Sequence, residues 1–245
     1  MKVEEIKAKS ILNPSQIGNY TINPYIGCQH SCKYCYADYY TKKIYHINLG
    51  WGSYVFVKIN ATSLLLKEIT KKRRGVVYLS SLTDPYQPIE SKYKLTRKIL
   101  EILLAYKWPV IIQTKSVLVL RDLDIIEKFN EIEVGFTIIT LDEEKRKKFE
   151  PFASKVKERI NALKKLKEAG IKTFAFLGPI LPDTELSEIE ELIRKVDFVD
   201  KIYIDKLNYK PGLEKKIPIE WFKNRKFYEK LKKEFSSMKK IVFVY

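Results

Sequence analysis

A chain of 245 residues with 45% apolar residues is long enough to bury a full core, as one large α/β domain or two small ones. It carries 46 Lys and Arg against 30 Asp and Glu, a net charge of +16, which excludes an acidic surface and points to a polyanionic partner, nucleic acid first. No apolar run approaches the ~18 to 20 residues of a membrane span, and the charged start MKVEEIKAK lacks the apolar segment of a secretory signal. A soluble, cytoplasmic protein with no membrane partner is the expectation. A Lys- and Glu-laden surface of the heat-adapted kind would explain many of the charges but not so large an imbalance.

Residues 1–19 read as an N-terminal arm. Residues 20–27, YTINPYIG, read as a first strand that delivers a group of cysteines at its tip. A loop and a short extended piece fill 47–60, and a helix is expected over 61–69. Strands and helices then alternate. Strands are expected at 76–80, 110–114, 134–139, 172–177 and 201–204, with helices at 92–106, 121–129, 155–169 and 185–196. The helix over 155–169 is the clearest, with Val156, Ile160, Leu163 and Leu166 at helical spacing and Gly170 as its stop. The pattern predicts an α/β fold, a partial TIM barrel of (β/α)6 type spanning residues 20–210. Residues 211–245 add a C-terminal helical extension, with a helix at 221–235 and a short strand at 241–244 packed on the barrel.

Barrels of this kind carry their working residues at the C-terminal ends of the strands. Unusual polar residues gather there: the cysteines, then Ser81, Thr83 and Asp84, then Thr114 and Lys115, then Thr137 and Thr140. Gly178 and Pro179 follow the fifth strand, and Asp205, Lys206 and Asn208 follow the sixth.

All three cysteines lie in NPYIGCQHSCKYCYA, as Cys28, Cys32 and Cys35, with spacing C-x3-C-x2-C. Three thiolates on a tight loop suit one metal centre better than a disulfide and a spare thiol. A mononuclear zinc site needs a fourth ligand, which His30 or His46 could supply. A [4Fe–4S] cluster with three thiolates leaves one iron without a protein sulfur, free to take a small molecule. Both metal readings are open on the cysteines alone.

The motif resembles the radical SAM signature, with Tyr34 in its aromatic slot. The pieces SSLTDPYQPIE, QTKSVLVLRD, GFTIIT, FEP and EAGIKTFAFLGPI resemble the spore photoproduct lyase branch of that family, over roughly residues 20–210. The resemblance implies a [4Fe–4S] cluster on Cys28, Cys32 and Cys35, with S-adenosylmethionine bound at the open iron and cleaved to a 5′-deoxyadenosyl radical. It places Ser81, Thr83 and Asp84 at the cofactor's amine and Lys115 at its carboxylate. Thr137 and Thr140 match positions facing the ribose. Arg159 matches a family arginine that either contacts the cofactor or pairs with Glu150. Tyr34 lies beside the cofactor, and Tyr34 and Tyr36 match tyrosines that relay a radical. The family's hydrogen-donating cysteine is Ser81 here, and an alcohol O–H is too strong a bond for that task.

The resemblance implies an external one-electron reductant of ferredoxin or flavodoxin type. With the charge, it favours a radical SAM enzyme acting on nucleic acid, with Lys206, Asn208 and Tyr209 as candidate substrate contacts. The alternatives are radical modification of a protein or small metabolite, and a non-enzymatic zinc-binding nucleic-acid module. The basic runs Lys71–Arg74 and Lys145–Lys148 read first as solvated turns. Oligomeric state is not legible.

Overall fold

Side chains alternate between the two faces of a strand, so a barrel strand must satisfy a helix-covered outside and a lined inside at once. The computed structural model describes all 245 residues and contains eleven strands. These are β1 (Lys2–Ile6), β2 (Leu12–Pro14), β3 (Tyr20–Ile22), β4 (Tyr25–Ile26), β5 (Tyr54–Lys58), β6 (Val77–Leu79), β7 (Val110–Thr114), β8 (Ile132–Thr137), β9 (Lys172–Ile180), β10 (Lys201–Lys206) and β11 (Ile241–Phe243). The main sheet runs β11-β10-β9-β8-β7-β6-β3-β2. From β3 to β10 its six central strands are parallel, as a partial (β/α)6 barrel requires. Outward-facing Leu79, Ile112, Val134, Phe136, Leu177 and Ile204 join the main apolar core under the helices. Inward-facing Tyr78, Gln113, Phe174, Phe176 and Tyr203 line the barrel instead.

The elements depart from the sequence reading in several places. The first strand is two strands in different sheets: β3 enters the barrel, while β4 turns away after Asn23-Pro24 to pair antiparallel with β5. Residues 1–19 contain β1, parallel to β5, and β2, antiparallel to β3. The β1 sequence KVEEI hides its pairing because nearly all of its side chains are exposed. The helix expected over 92–106 is broken at Lys94, which has φ +52°. The cause is the buried carboxylate of Glu90, which accepts from the Thr96 amide at 3.0 Å and so fixes a fresh helix start at Leu95. Residues 121–129 yield only a 3-10 turn (Val117–Asp122) and one α-turn (Leu123–Ile126).

An unpredicted helix, Glu143–Phe149, follows β8. Asp142 caps it, accepting from the Glu144 amide at 2.8 Å. The C-terminal helix begins at Arg225 rather than Trp221. Asn224 accepts from the Phe227 amide and restarts the chain after a 3-10 turn. The last strand, β11, pairs with β10 and so extends the main sheet. No helix is long and apolar enough to cross a membrane.

Gly135 is paired across the sheet with Phe174, and a Cβ there would overlap the Phe174 ring. Gly135→Ala is expected to destabilise the fold by about 1–3 kcal/mol through overpacking. Chemical denaturation checks this, and Phe174→Leu in the same chain should recover part of the loss.

Candidate active site

The loop between β4 and the helix Tyr36–Tyr45 presents the three cysteines to the C-terminal mouth of the barrel. Two left-handed residues shape it: Gly27 at φ +89° and Ser31 at φ +53°. Gly27 has no alternative, because a Cβ would also overlap the Tyr54 carbonyl. Cys28, Cys32 and Cys35 line one small cavity of about 100 Å³ with Lys115, Asp84, Thr83 and Thr137. Burial raises all three thiol pKa values, that of Cys28 to about 12. Such thiols hold their protons until a metal displaces them.

Of the two candidate fourth ligands, His30 lines the cysteine cavity with its ring turned to other groups, and His46 does not reach it. His30 is buried, its Nδ1 lies 3.1 Å from the Phe152 carbonyl, and its Nε2 lies 3.3 Å from Asp84 Oδ2. His46 is exposed at the far end of its helix. Nowhere do three His, Cys, Asp or Glu side chains surround one point closely enough for a single ion. Three thiols from one loop at the barrel mouth are a donor set that fits a cluster taking one thiolate per metal.

Asp84 stands behind the cysteines as a strut. Its carboxylate accepts from Thr114 Oγ1 at 2.6 Å, the Lys115 amide at 2.8 Å and the Tyr86 amide at 2.9 Å. Burial alone would raise its pKa, but His30, Thr114 and Lys115 hold it down at about 2. Thr83 is likewise committed, donating to the Gly27 carbonyl at 2.6 Å. The Ser81 hydroxyl lies 3.1 Å from that of Thr21, and the Ser81 carbonyl accepts from Tyr36 OH at 2.6 Å. Ser81, Thr83 and Asp84 thus meet at the cavity, but their side chains are bonded to the protein.

Lys115 has its ammonium 5.8 Å from the Tyr34 ring centre. Burial works against its charge, yet Cys32, Glu150 and Asp84 outweigh burial and raise its pKa. Thr137 lines the same cavity and accepts from Gln113 Nε2 at 2.9 Å. Gln113 in turn accepts from Tyr78 OH at 2.7 Å, so a polar chain crosses three neighbouring strands. Thr140 is not brought to this cavity; it is buried and accepts from the Asp142 amide at 3.0 Å.

Arg159 and Glu150 are both fully buried and paired at 2.6 Å. Arg159 also donates to the carbonyls of Ser154 and Thr137, and lines none of the cavities near the cysteines. Of its two expected roles, pairing with Glu150 is the one the geometry contains. Tyr34 donates its hydroxyl to Glu150, which ties the cysteine loop to the pair. Burial would raise the Glu150 pKa, but Arg159, Lys115 and Tyr34 keep it below the ordinary value.

A second cavity of about 670 Å³ continues from Cys35, Tyr36 and Lys115 down into the barrel. Aromatic rings wall it: Tyr36, Tyr78, Phe174, Phe176 and Tyr203. Lys206 and Asn208 stand on its rim, while Tyr209 lies outside it, packed edge-on against Phe222 at 5.2 Å. Asp205 also lines it, its pKa raised to about 6 by burial. The sequence reading passed over Gln113, Tyr78, Phe174, Phe176 and Tyr203. The available signal was strand alternation, since each sits at the inward phase of an otherwise apolar run.

The family description "Radical SAM superfamily" matches residues 22–196. An uncharacterized protein of Methanocaldococcus jannaschii is 43% identical over 224 residues, covering 90% of this chain and 83% of that one. An uncharacterized protein of Acidianus two-tailed virus is 34% identical over 177 residues, covering 69% of this chain and 58% of that one. Among solved structures, a spore photoproduct lyase variant with bound AdoMet and dinucleoside spore photoproduct superimposes with TM-score 0.72. It covers 99% of this chain and 82% of that one, at 17% identity. SuiB of Streptococcus suis bound to S-adenosylmethionine gives TM-score 0.60 at 15% identity, covering 100% of this chain and 50% of that one. At these identities the superpositions establish the fold.

Two stability outcomes follow from the buried charges. Glu150→Ala leaves Arg159 buried without its partner and is expected to cost about 3–5 kcal/mol in chemical denaturation. Replacing both residues by apolar ones of similar size should recover most of that. Asp84 is more acidic folded, at about 2, than its ordinary 3.8. Its contribution is therefore complete above pH 3.8 and is lost as pH falls from 3.8 towards 2. The amount is about 2 kcal/mol. Acid unfolding of the metal-free protein should be flatter in that window for Asp84→Asn than for the natural chain.

Proposed function

Because this chain belongs to the Radical SAM superfamily, we propose that it is a radical enzyme acting on nucleic acid through the barrel cavity. Its cofactors are a [4Fe–4S] cluster and S-adenosylmethionine, as for the superfamily. When bound, the cluster would pass one electron from an external reductant to the sulfonium of S-adenosylmethionine, supplying the radical chemistry that removes a hydrogen atom from a substrate.

The single observation that carries this reading is the trio of thiols with no fourth cysteine in the chain, opening into the aromatic-walled barrel. Cys28, Cys32 and Cys35 hold the cluster. Lys115 offers its ammonium to the cofactor's carboxylate, a charge-assisted contact in a sheltered site. Thr137 and Gln113 present a hydroxyl and an amide for polar groups of the cofactor. Asp84 is a positioning residue: it holds the Lys115 backbone and the Tyr86 turn so that Lys115 stands over the cysteines. Glu150, Arg159 and Tyr34 anchor the loop from beneath. Tyr36, at the junction of both cavities, stands between the cysteines and the substrate.

The charge of +16 supports a polyanionic substrate. So does the dinucleoside in the description of the superimposed lyase, although that ligand is a property of that protein. Ser81 supplies no readily abstracted hydrogen, so the substrate radical is quenched from elsewhere or leaves as an oxidised product. A ferredoxin- or flavodoxin-like protein of the cytoplasm supplies the electron. Modification of a protein or small metabolite is the competing reading for the substrate.

The test is anaerobic reconstitution with iron and sulfide, followed by dithionite and S-adenosylmethionine. The expected result is 5′-deoxyadenosine at least tenfold above a Cys28→Ala control. Equal amounts from both proteins would overturn the enzyme assignment. Lys115→Met is expected to weaken cofactor binding by about tenfold or more, from the loss of a charged hydrogen bond.

A further inference from the structure

The net charge is not spread evenly. Residues 206–245 hold twelve Lys and Arg against four Glu, a net +8, so half of the chain's +16 sits in its last 40 residues. That segment borders a groove of about 570 Å³ between the end of β10 and the helix Arg225–Phe235. Lys206, Arg225 and Lys232 line the groove, and its only acid, Glu229, is paired with Arg225 at 2.7 Å. Tyr209, 46% exposed, stands in it with Phe222 edge-on behind. Lys206, Leu207 and Asn208 line both this groove and the barrel cavity, so the two adjoin at the end of β10.

We propose that this groove is the track for a single-stranded polynucleotide, whose reacting unit passes over Lys206 and Asn208 into the barrel. The inference rests on the nucleic-acid reading above and adds where the polymer lies and in what form. Spaced cations suit a phosphate chain, and an exposed aromatic ring suits the face of a base. A duplex keeps its base faces stacked inside and presents none to Tyr209. In the competing basic run, Lys71–Arg74, Arg74 bonds Glu131 and the Lys107 carbonyl, and Lys72 bonds the Leu12 carbonyl. That run also lies at the N-terminal end of β6, away from the cysteines.

The experiment is fluorescence anisotropy of the reconstituted protein with oligo(dT), oligo(rU) and a DNA duplex, each of about 15 nucleotides or base pairs, across a salt series. One or both single strands are expected to bind at least tenfold more tightly than the duplex, and the tighter one identifies the sugar. Arg225→Glu with Lys232→Glu should weaken single-strand binding at least tenfold at low salt and flatten the salt dependence. Tyr209→Ala should weaken it about tenfold at high salt, where stacking outlasts the screened phosphates. Lys157→Glu with Lys165→Glu, on the outer helix Val156–Glu168, is the control and should change affinity less than twofold. Circular dichroism confirms that each variant is folded. Duplex binding as tight as single-strand binding, or an equal loss in the control variant, overturns the groove assignment and leaves the nucleic-acid reading standing. Absence of binding to all three polymers overturns both, while 5′-deoxyadenosine formation would remain as evidence for the radical enzyme.

Discussion

A single buried carboxylate does most to hold the mouth of this barrel in shape. Asp84 takes a hydroxyl from Thr114 and amides from Lys115 and Tyr86, and faces His30 from the cysteine loop. Two barrel strands and the loop are thereby tied to one pair of oxygens. A carboxylate so surrounded stays ionised in a place where burial alone would neutralise it. Its charge in turn helps to keep Lys115 protonated. The Glu150–Arg159 pair repeats the arrangement one layer lower, with Tyr34 as its link to the loop.

These two clamps explain how a loop of cysteines can be pre-shaped while its thiols stay protonated. Buried thiols with raised pKa values are poor nucleophiles and poor disulfide formers. They stay protonated until a metal centre replaces the protons. Site geometry is commonly supported by side chains bonded to the protein itself, and Asp84, Glu150 and Arg159 are bonded in that way here.

The parallel barrel was legible because its strands are short apolar runs separated by helices of clear 3.6-residue period, above all Val156–Glu168. The cysteine motif and the polar residues at strand ends were legible for the same reason: position along a strand fixes which end of the barrel a residue reaches. Direction was not legible. Ser81, Thr83 and Asp84 line the cysteine cavity, but each turns its side chain into the protein. Arg159 is buried rather than facing the cavity, because a buried glutamate lies next to it. The extended piece within 47–60 is β5, but its pairing with β1 was not legible, because KVEEI is exposed along nearly its whole length and shows no apolar face. The break at Lys94 depends on a carboxylate four residues back accepting amides of the following turn, which no local propensity records.

The placement of β11 bears on how the molecule is assembled. Val244 lines the same cavity as Tyr34 and Cys35, so opposite walls of one chamber come from positions about 200 residues apart in the chain. Contacts of such long sequence separation are the slowest to form. During synthesis the cysteine loop emerges early and waits, exposed, while the strands between are made. Its chamber is complete only when the final strand has docked beside β10. The thiols are therefore enclosed late, by a strand far from them in sequence.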